Sequence, residues 1–432
     1  MINKIESSKP PAGAGKPMAR LERFVSHLSW RHTFTALRYR NYRLWFWGQM
    51  ISLFGSWMQA TAQGFLIFEL TRSPAFLGYV GFAAGIPSWL FMLYGGVIAD
   101  RFNRRTLIIF TQTAMMVLAF ILAGLTFFRL VQPWHVILLA AGLGVANAFE
   151  APARQAFVTE MVGREDLTNA IALNSTMFNT ATALGPAAAG ITYALVGPAW
   201  CFIINGISFL AVIAALLMMK MEAKRPGMGM RKRAIDDLKE GLRYVRSHSM
   251  IRGLISMVLV TSLFGISFAT LIPAWAVKIL HGDATTNGWL QSARGIGALI
   301  SALLIASLGR FRFKGRLLTL GAFSFPVLLI AFGFARWTPF SLLMLVGIGF
   351  STILVFNLCN SLVQTLVQDS LRGRVMAIYS LTFFGTVPIG SLLVGLTAEL
   401  LSEPAAVVLS AAVILVFSSL IWVFVPKLRE LE

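Results

Sequence analysis

Along this chain apolar residues gather into long runs, and polar residues are confined to the breaks between them. The runs fall at 44–68, 75–98, 107–128, 135–157, 170–196 and 200–219, then at 254–277, 287–308, 317–335, 340–366, 375–400 and 405–425. A helix of about 20 apolar residues crosses a hydrocarbon layer roughly 30 Å thick. The pattern therefore predicts an all-α membrane protein of twelve transmembrane helices. It divides the chain into a lead-in (1–43), a six-helix bundle (44–219), a linker (220–253), a second six-helix bundle (254–425) and a tail (426–432).

Composition agrees and narrows the class. Of 432 residues, 57% are hydrophobic and 13% charged, too few polar groups to cover a soluble domain of this size. The net charge of +19 does not indicate a nucleic-acid partner, because the basic residues sit in short breaks between apolar runs. Arg101, Arg104 and Arg105 follow span 2; Arg310, Arg312, Lys314 and Arg316 follow span 8; Arg372 and Arg374 precede span 11. The linker adds Lys220, Lys224, Arg225, Arg231, Lys232 and Arg233. All lie on one side, whereas the opposite breaks hold Arg72, Arg129, Lys278 and Arg336. The positive-inside rule then places both termini and the linker in the cytoplasm.

Two segments beside the spans, 34–43 and 236–246 (DDLKEGLRYVR), have the pattern of short amphipathic helices on the inner surface. Cys201 and Cys359 lie inside apolar runs and read as small core residues. No nucleophile–base set, metal-ligand cluster or cofactor loop is present, so neither an enzyme nor a cofactor is expected.

The chain also repeats itself. At a shift of 210 residues, Ser52-Leu53-Phe54-Gly55 falls on Ser262-Leu263-Phe264-Gly265, Gly78 on Gly288 and Gly85 on Gly295. At a shift of 205, Gly144 meets Gly349, Gly185 meets Gly390 and Gly190 meets Gly395. Registers held over consecutive spans imply two parallel repeats, related by an axis along the membrane normal, with a binding site between them near mid-membrane.

The break after span 2 reads Gly96-Val97-Ile98-Ala99-Asp100-Arg101-Phe102-Asn103-Arg104-Arg105. It resembles the signature loop of the major facilitator superfamily: Gly, three residues, Asp, Arg, one residue, Gly, two basics. Asn103 replaces the second Gly, and Asn tolerates a left-handed conformation. A second stretch runs from Pro152-Ala153-Arg154-Gln155-Ala156 through Glu160, Gly163-Arg164-Glu165-Asp166-Leu167 and Asn169-Ala170 to Gly185-Pro186. It resembles the bacterial exporter branch that includes the enterobactin exporter and macrolide efflux proteins. The resemblance implies the major facilitator fold, a monomer in the bacterial inner membrane, and secondary active transport by alternating access. It implies proton-coupled export of a small amphiphilic molecule, siderophore or drug-like; import of such a molecule is the alternative, and a membrane-embedded sensor or enzyme a distant one. It also implies an inner gate of Asp100, Arg101 and Arg104, with Asp100 meeting the start of span 11 near Arg372 or Arg374. Arg154 lies near the inner interface and is grouped with that gate.

A charge within a bilayer is costly and needs a reason. Glu150 and Arg154 stand one helical turn apart on span 4, spaced to pair. Glu150 reads either as the proton-coupling carboxylate or as half of a static pair. Arg294 on span 8 reads either as an anchor for an acidic substrate or as a group packed on span 7 carbonyls. All three charges break the repeat, falling on Val355, Cys359 and Ala84. Span 1 carries Gln49, Ser52, Ser56, Gln59 and Gln63 at steps of three and four, which make one polar face. Gln59, Asn147, Gln291, Asn357 and Asn360 are candidate cavity-lining residues, and Phe178, Tyr379 and Phe383 could stack on an aromatic substrate.

Overall fold

The computed structural model describes residues 34–220, 234–308 and 313–430. The N-terminal segment before residue 34, the basic run 224–233, Arg310 and Arg312 lie outside the described residues. Helices α1 (Arg40–Thr71), α2 (Pro74–Arg101), α3 (Arg104–Phe127), α4 (Pro133–Met161), α5 (Leu167–Val196) and α6 (Pro198–Met218) form the first group. The linker helix α7 (Ala234–Ser247) follows. The second group is α8 (Ser249–Ile279), α9 (Ala284–Leu308), α10 (Lys314–Gly333), α11 (Thr338–Leu366), α12 (Arg372–Leu400) and α13 (Glu403–Phe424). Among the described residues, ten of these helices are long and apolar enough to cross a membrane. Helices α1 and α5, with 32 and 30 residues, are long enough but carry polar stripes.

Within the first bundle α1 packs on α5 and α6, α2 on α4, and α3 on α4 and α6; in the second, α9 packs on α11, and α10 on α11 and α13. Lipid gives apolar helices no hydrophobic reason to associate, so small residues that admit close backbone contact supply the cohesion. A Cβ on Gly144 of α4 would strike the carbonyl of Ala84 on α2, and one on Gly349 of α11 would strike the carbonyl of Arg294 on α9. These two contacts are the same contact under the repeat. The bundles meet along α2–α12 and α5–α9, again at paired glycines. A Cβ on Gly395 would lie 2.9 Å from Gly78 Cα, and a Cβ on Gly190 would lie 3.2 Å from Gly288 Cα.

Among the described residues the glycine contacts between the bundles lie toward the end opposite α7 and at mid-height. Cross-bundle hydrogen bonds lie at the end opposite α7, where Ser73 Oγ donates to Glu399 at 2.6 Å, and at mid-height, where Trp89 Nε1 donates to the Leu381 carbonyl at 3.1 Å. Toward the linker end the α2 stripe continues to Gly96, which has nothing within 4 Å. Among the described residues the α2–α12 seam is thus closed at the far end and open at Gly96, toward the linker end.

Several elements depart from the sequence pattern. Segment 34–43 is not a surface helix: Thr35–Arg38 is one 3₁₀ turn, and α1 begins at Arg40. The turn is stapled to the α4–α5 loop by Ala36 N to Asn169 Oδ1 at 3.0 Å and Arg38 to Asp166 at 2.7 Å. Hydrogen bonds from its own backbone N–H and from the Tyr39 hydroxyl hold the Glu165 carboxyl in that loop below the usual carboxylate range. Helix α7 forms where expected, but part of its apolar face is covered by protein, with Leu242 left exposed. Leu238, Tyr244 and buried Val245 pack on the second bundle, and Gly241 admits the backbone of Arg374 at 3.1 Å. Asn103 adopts extended backbone (φ −62°) rather than a left-handed one, and its side chain caps α3 by accepting from Thr106 N at 3.2 Å. Helix α8 is not a plain span: it passes through π and 3₁₀ turns between Thr261 and Ile279.

The glycine contacts generate a test. A Cβ at Gly288 would sit 2.5 Å from the Pro186 carbonyl oxygen, a backbone atom that cannot yield. Gly288→Val is expected to disfavour the joined far end. A cysteine at Gln291 should then react several-fold faster with a membrane-impermeant thiol reagent supplied from that side, the native Cys201 and Cys359 being buried. Unchanged labelling would refute the role given to this contact.

Candidate functional site

The polar stripe of α1 determines where the site lies. Gln49, Ser52, Ser56, Gln59 and Gln63 all face a cavity of about 410 Å³ inside the first bundle. Such groups need partners out of lipid, and they find some among themselves and on neighbouring helices. Asn205 Nδ2 on α6 donates to Gln59 Oε1 at 2.7 Å, and Ser208 Oγ donates to Asn205 Oδ1 at 3.0 Å. The pair fits against α1 because Gly55 has no side chain: a Cβ there would meet Asn205 Oδ1 at 2.7 Å. Gln63 Nε2 reaches the Val136 carbonyl at 3.4 Å. The Gln49 and Gln112 amide oxygens are buried without a hydrogen-bond partner.

The fourth helix contributes Asn147, Glu150 and Arg154 to the same wall. Glu150 is 3% exposed. Arg154 Nε lies 3.1 Å from its Oε1 and 3.3 Å from its Oε2, and Gln112 Nε2 on α3 donates to Oε1 at 3.4 Å. A carboxylate, a guanidinium and an amide thus form one chain across the cavity wall. The other bundle closes the cavity with Ala269, Thr270 and Pro273 from the irregular part of α8 and Gln291 from α9. Thr270 Oγ1 is tied to Ser391 Oγ at 3.0 Å.

Of the sequence candidates, Gln59, Asn147, Glu150, Arg154 and Gln291 come together on this cavity. The others do not. Tyr379 is buried in the second bundle's core, and its hydroxyl donates to the Phe356 carbonyl at 3.0 Å. Phe383 packs edge-on to Phe356 at 4.9 Å between ring centroids. Phe178 is half-exposed and packs on Trp57 at 5.8 Å. Asn357 is exposed on α11, and Asn360 accepts from Gln364. Arg294 follows Gln291 by one turn and is mostly buried. Gln112 and Asn205 were not singled out from the sequence, although each is a lone amide in an apolar span, which is the signal that identifies them.

The residues read from the sequence as a gate lie at the linker end. Arg104 bridges Asp100 at 3.5 Å and Glu160 at 2.5 Å, and its Nε donates to the Ala99 carbonyl at 3.3 Å. Arg101 is exposed there. Arg374 is held by Asp237 and Glu240 of α7 at 2.8 and 2.7 Å, and Arg372 pairs with Asp369. Arg372 and Arg374, at the start of α12, are thus held by Asp369 and by α7.

Two like bundles, joined at one end and enclosing a polar cavity near mid-height, define a membrane transporter rather than an enzyme. The chain belongs to the major facilitator family described as transmembrane secretion effectors, whose family model matches residues 31–432. It is 24% identical to the staphyloferrin A transporter of Staphylococcus aureus, over 83% of this chain and 89% of that one. It is 25% identical to the multidrug efflux pump Tap of Mycolicibacterium fortuitum, over 88% and 94%. It is 22% identical to macrolide efflux protein A of Streptococcus pyogenes, over 91% and 99%. Among solved structures, the nucleoside transporter NupG superposes with a TM-score of 0.71 at 11% identity, covering 90% of this chain and 99% of that one. A D-xylose–proton symporter gives 0.68 at 14%, covering 89% and 98%. These last two likenesses are of fold.

The pair at the site has a measurable signature. Glu150→Ala leaves a buried guanidinium unpaired and is expected to cost about 3 kcal/mol. Arg154→Met in the same chain should recover most of the loss, read as thermal unfolding of purified protein in detergent. Equal destabilisation in the single and double variants would show that the pair is not coupled.

Proposed function

We propose that this chain exports a small amphiphilic organic molecule, siderophore or drug-like, in exchange for protons. It does so as a monomer in the bacterial inner membrane, with both termini and α7 on the cytoplasmic side. The observation that carries the reading is the Glu150–Arg154 pair on the wall of an otherwise uncharged polar cavity. While Glu150 is ionised it neutralises Arg154. A proton on Glu150 removes that partner, so protonation and substrate binding act on the same side chains and can compete. Competition for one site, exposed alternately to the two faces, is sufficient for exchange.

The α2–α12 seam, open toward the linker end, suits this reading, since a molecule from the cytoplasm would load there. The efflux names of two relatives support the direction and the substrate class. Import on the same fold is the second reading: alternating access is reversible, and another relative is named a transporter without a direction. In this proposal the lead-in, the two bundles and the linker keep the bounds read from the sequence.

Inside-out vesicles with an imposed proton gradient, acidic inside, provide the test. A panel of siderophores and drugs should include one that accumulates and is released by an uncoupler. Glu150→Gln is expected to lower gradient-driven accumulation by about tenfold or more while leaving substrate-for-substrate exchange in place. Full accumulation in Glu150→Gln would remove Glu150 as the coupling residue. Accumulation only with the gradient reversed would favour import.

A further inference from the structure

We infer that Arg294 is an anion-binding residue of the lumen, and that the transported molecule presents an acidic oxygen group to it. This rests on the transport reading, though not on its direction or coupling ion. The placement follows from the faces of α9. Gly288 and Gly295 lie against α5, and Gly297 lies against Val346 and Phe350 of α11. Trp289, Ile296, Ile300 and Leu303 form the exposed outer face. At 100° per residue one face remains, and it carries Asn287, Gln291 and Arg294. Gln291 is on the cavity wall; Arg294 shares its face and stands one turn beyond the residues that line the cavity, toward the linker end.

The second observation is what Arg294 lacks. Its Nε is sealed from solvent and has no hydrogen-bond partner. Among the described residues no carboxylate pairs with it, whereas Glu150 pairs with Arg154, Glu403 with Lys278 and Asp237 with Arg374. It does not pack on carbonyls as a structural arginine of this chain does: Arg336 Nη1 donates to Gly333 and Ala335 carbonyls at 3.0 and 3.1 Å. A guanidinium held mostly out of water without a counter-charge is costly, and an anionic oxygen group is the ligand that relieves the cost. With Arg154 neutralised by Glu150, the demand for an anion falls on Arg294. The cavity that begins one turn away, at Gln291, measures about 410 Å³, within the usual range for small organic ligands.

The test uses the full chain in detergent, with no gradient, so that failure of proton coupling or of the assigned direction cannot affect it. The probes are aromatic carboxylates of one to three rings, each beside its neutral primary amide, with binding read from ligand-induced thermal stabilisation. At least one acid is expected to bind about tenfold or more tightly than its amide, and Arg294→Gln should bring the two together without weakening the amide. If Arg294→Gln does not fold, Arg294→His carries the same test: the acid preference should appear near pH 5.5 and vanish near pH 8, as an imidazole of pKa about 6.5 loses its charge. No acid preference in the wild type overturns the inference. So does a preference that survives in Arg294→Gln or is independent of pH in Arg294→His.

Discussion

Where two transmembrane helices touch in this chain, a glycine has usually removed the side chain between their backbones. The consequence is mechanical as well as energetic. A contact made of Cα and carbonyl atoms is held by dispersion and weak C–H···O interactions, each worth a fraction of a kcal/mol to about 1 kcal/mol. Few hydrogen bonds need to break for it to open. The α2–α12 seam shows both conditions. It is closed at Gly78 and Gly395 and open at Gly96, with Trp89 bonded to the Leu381 carbonyl near the division. Two rigid bundles that share such a seam can rock about it without repacking their cores.

The same solvent forces the polar groups inward. Amides on α1, α3 and α6 cannot face lipid without unmade hydrogen bonds, so Gln59, Gln112 and Asn205 converge on one lumen. The second bundle has the same backbone frame but different contents. Its counterparts of Glu150 and Arg154 are Val355 and Cys359, both in the apolar core. The repeat conserves the glycine contacts that make the frame and leaves the lumen free to diverge. Asymmetry between the halves is therefore where the chemistry lies.

The frame was legible in the sequence because its signals are local. Long apolar runs, a polar stripe at helical spacing and constant glycine registers all survive folding unchanged. What the sequence did not reveal depends on a partner. The amphipathic pattern of α7 is the same whether lipid or the second bundle covers it, and only the fold shows Val245 buried against protein. Asn103 was compatible with a left-handed turn or with a cap, and the choice was made by Thr106 N. Tyr379 sits at a helical spacing that fits a lumen or a core, and the nearby Phe356 carbonyl decided for the core. The irregular turns of α8 coincide with bonds from Ser267 Oγ, one to the Ser262 carbonyl on the same helix and one to the Val387 carbonyl on α12, at 3.1 Å each. Gln112 and Asn205 were legible as lone amides in apolar spans.

At the linker end the surface charges contribute little to any balance between an open and a closed arrangement. On the gate reading, Asp100 approaches α12 when that end closes, near Arg372 or Arg374. Here Arg374 is shared between Asp237 and Glu240 of α7, while Asp100 leans on Arg104. All these groups are a quarter or more exposed, a setting in which an ion pair is worth about 0–1 kcal/mol. Closure exchanges one set of half-solvated pairs for another, so the charges add little to either side of the balance. Helix α7 then works as a competitor for Arg374 rather than as a tether. On the proposed exchange, occupancy of the lumen by proton or substrate, rather than these charges, sets which end opens.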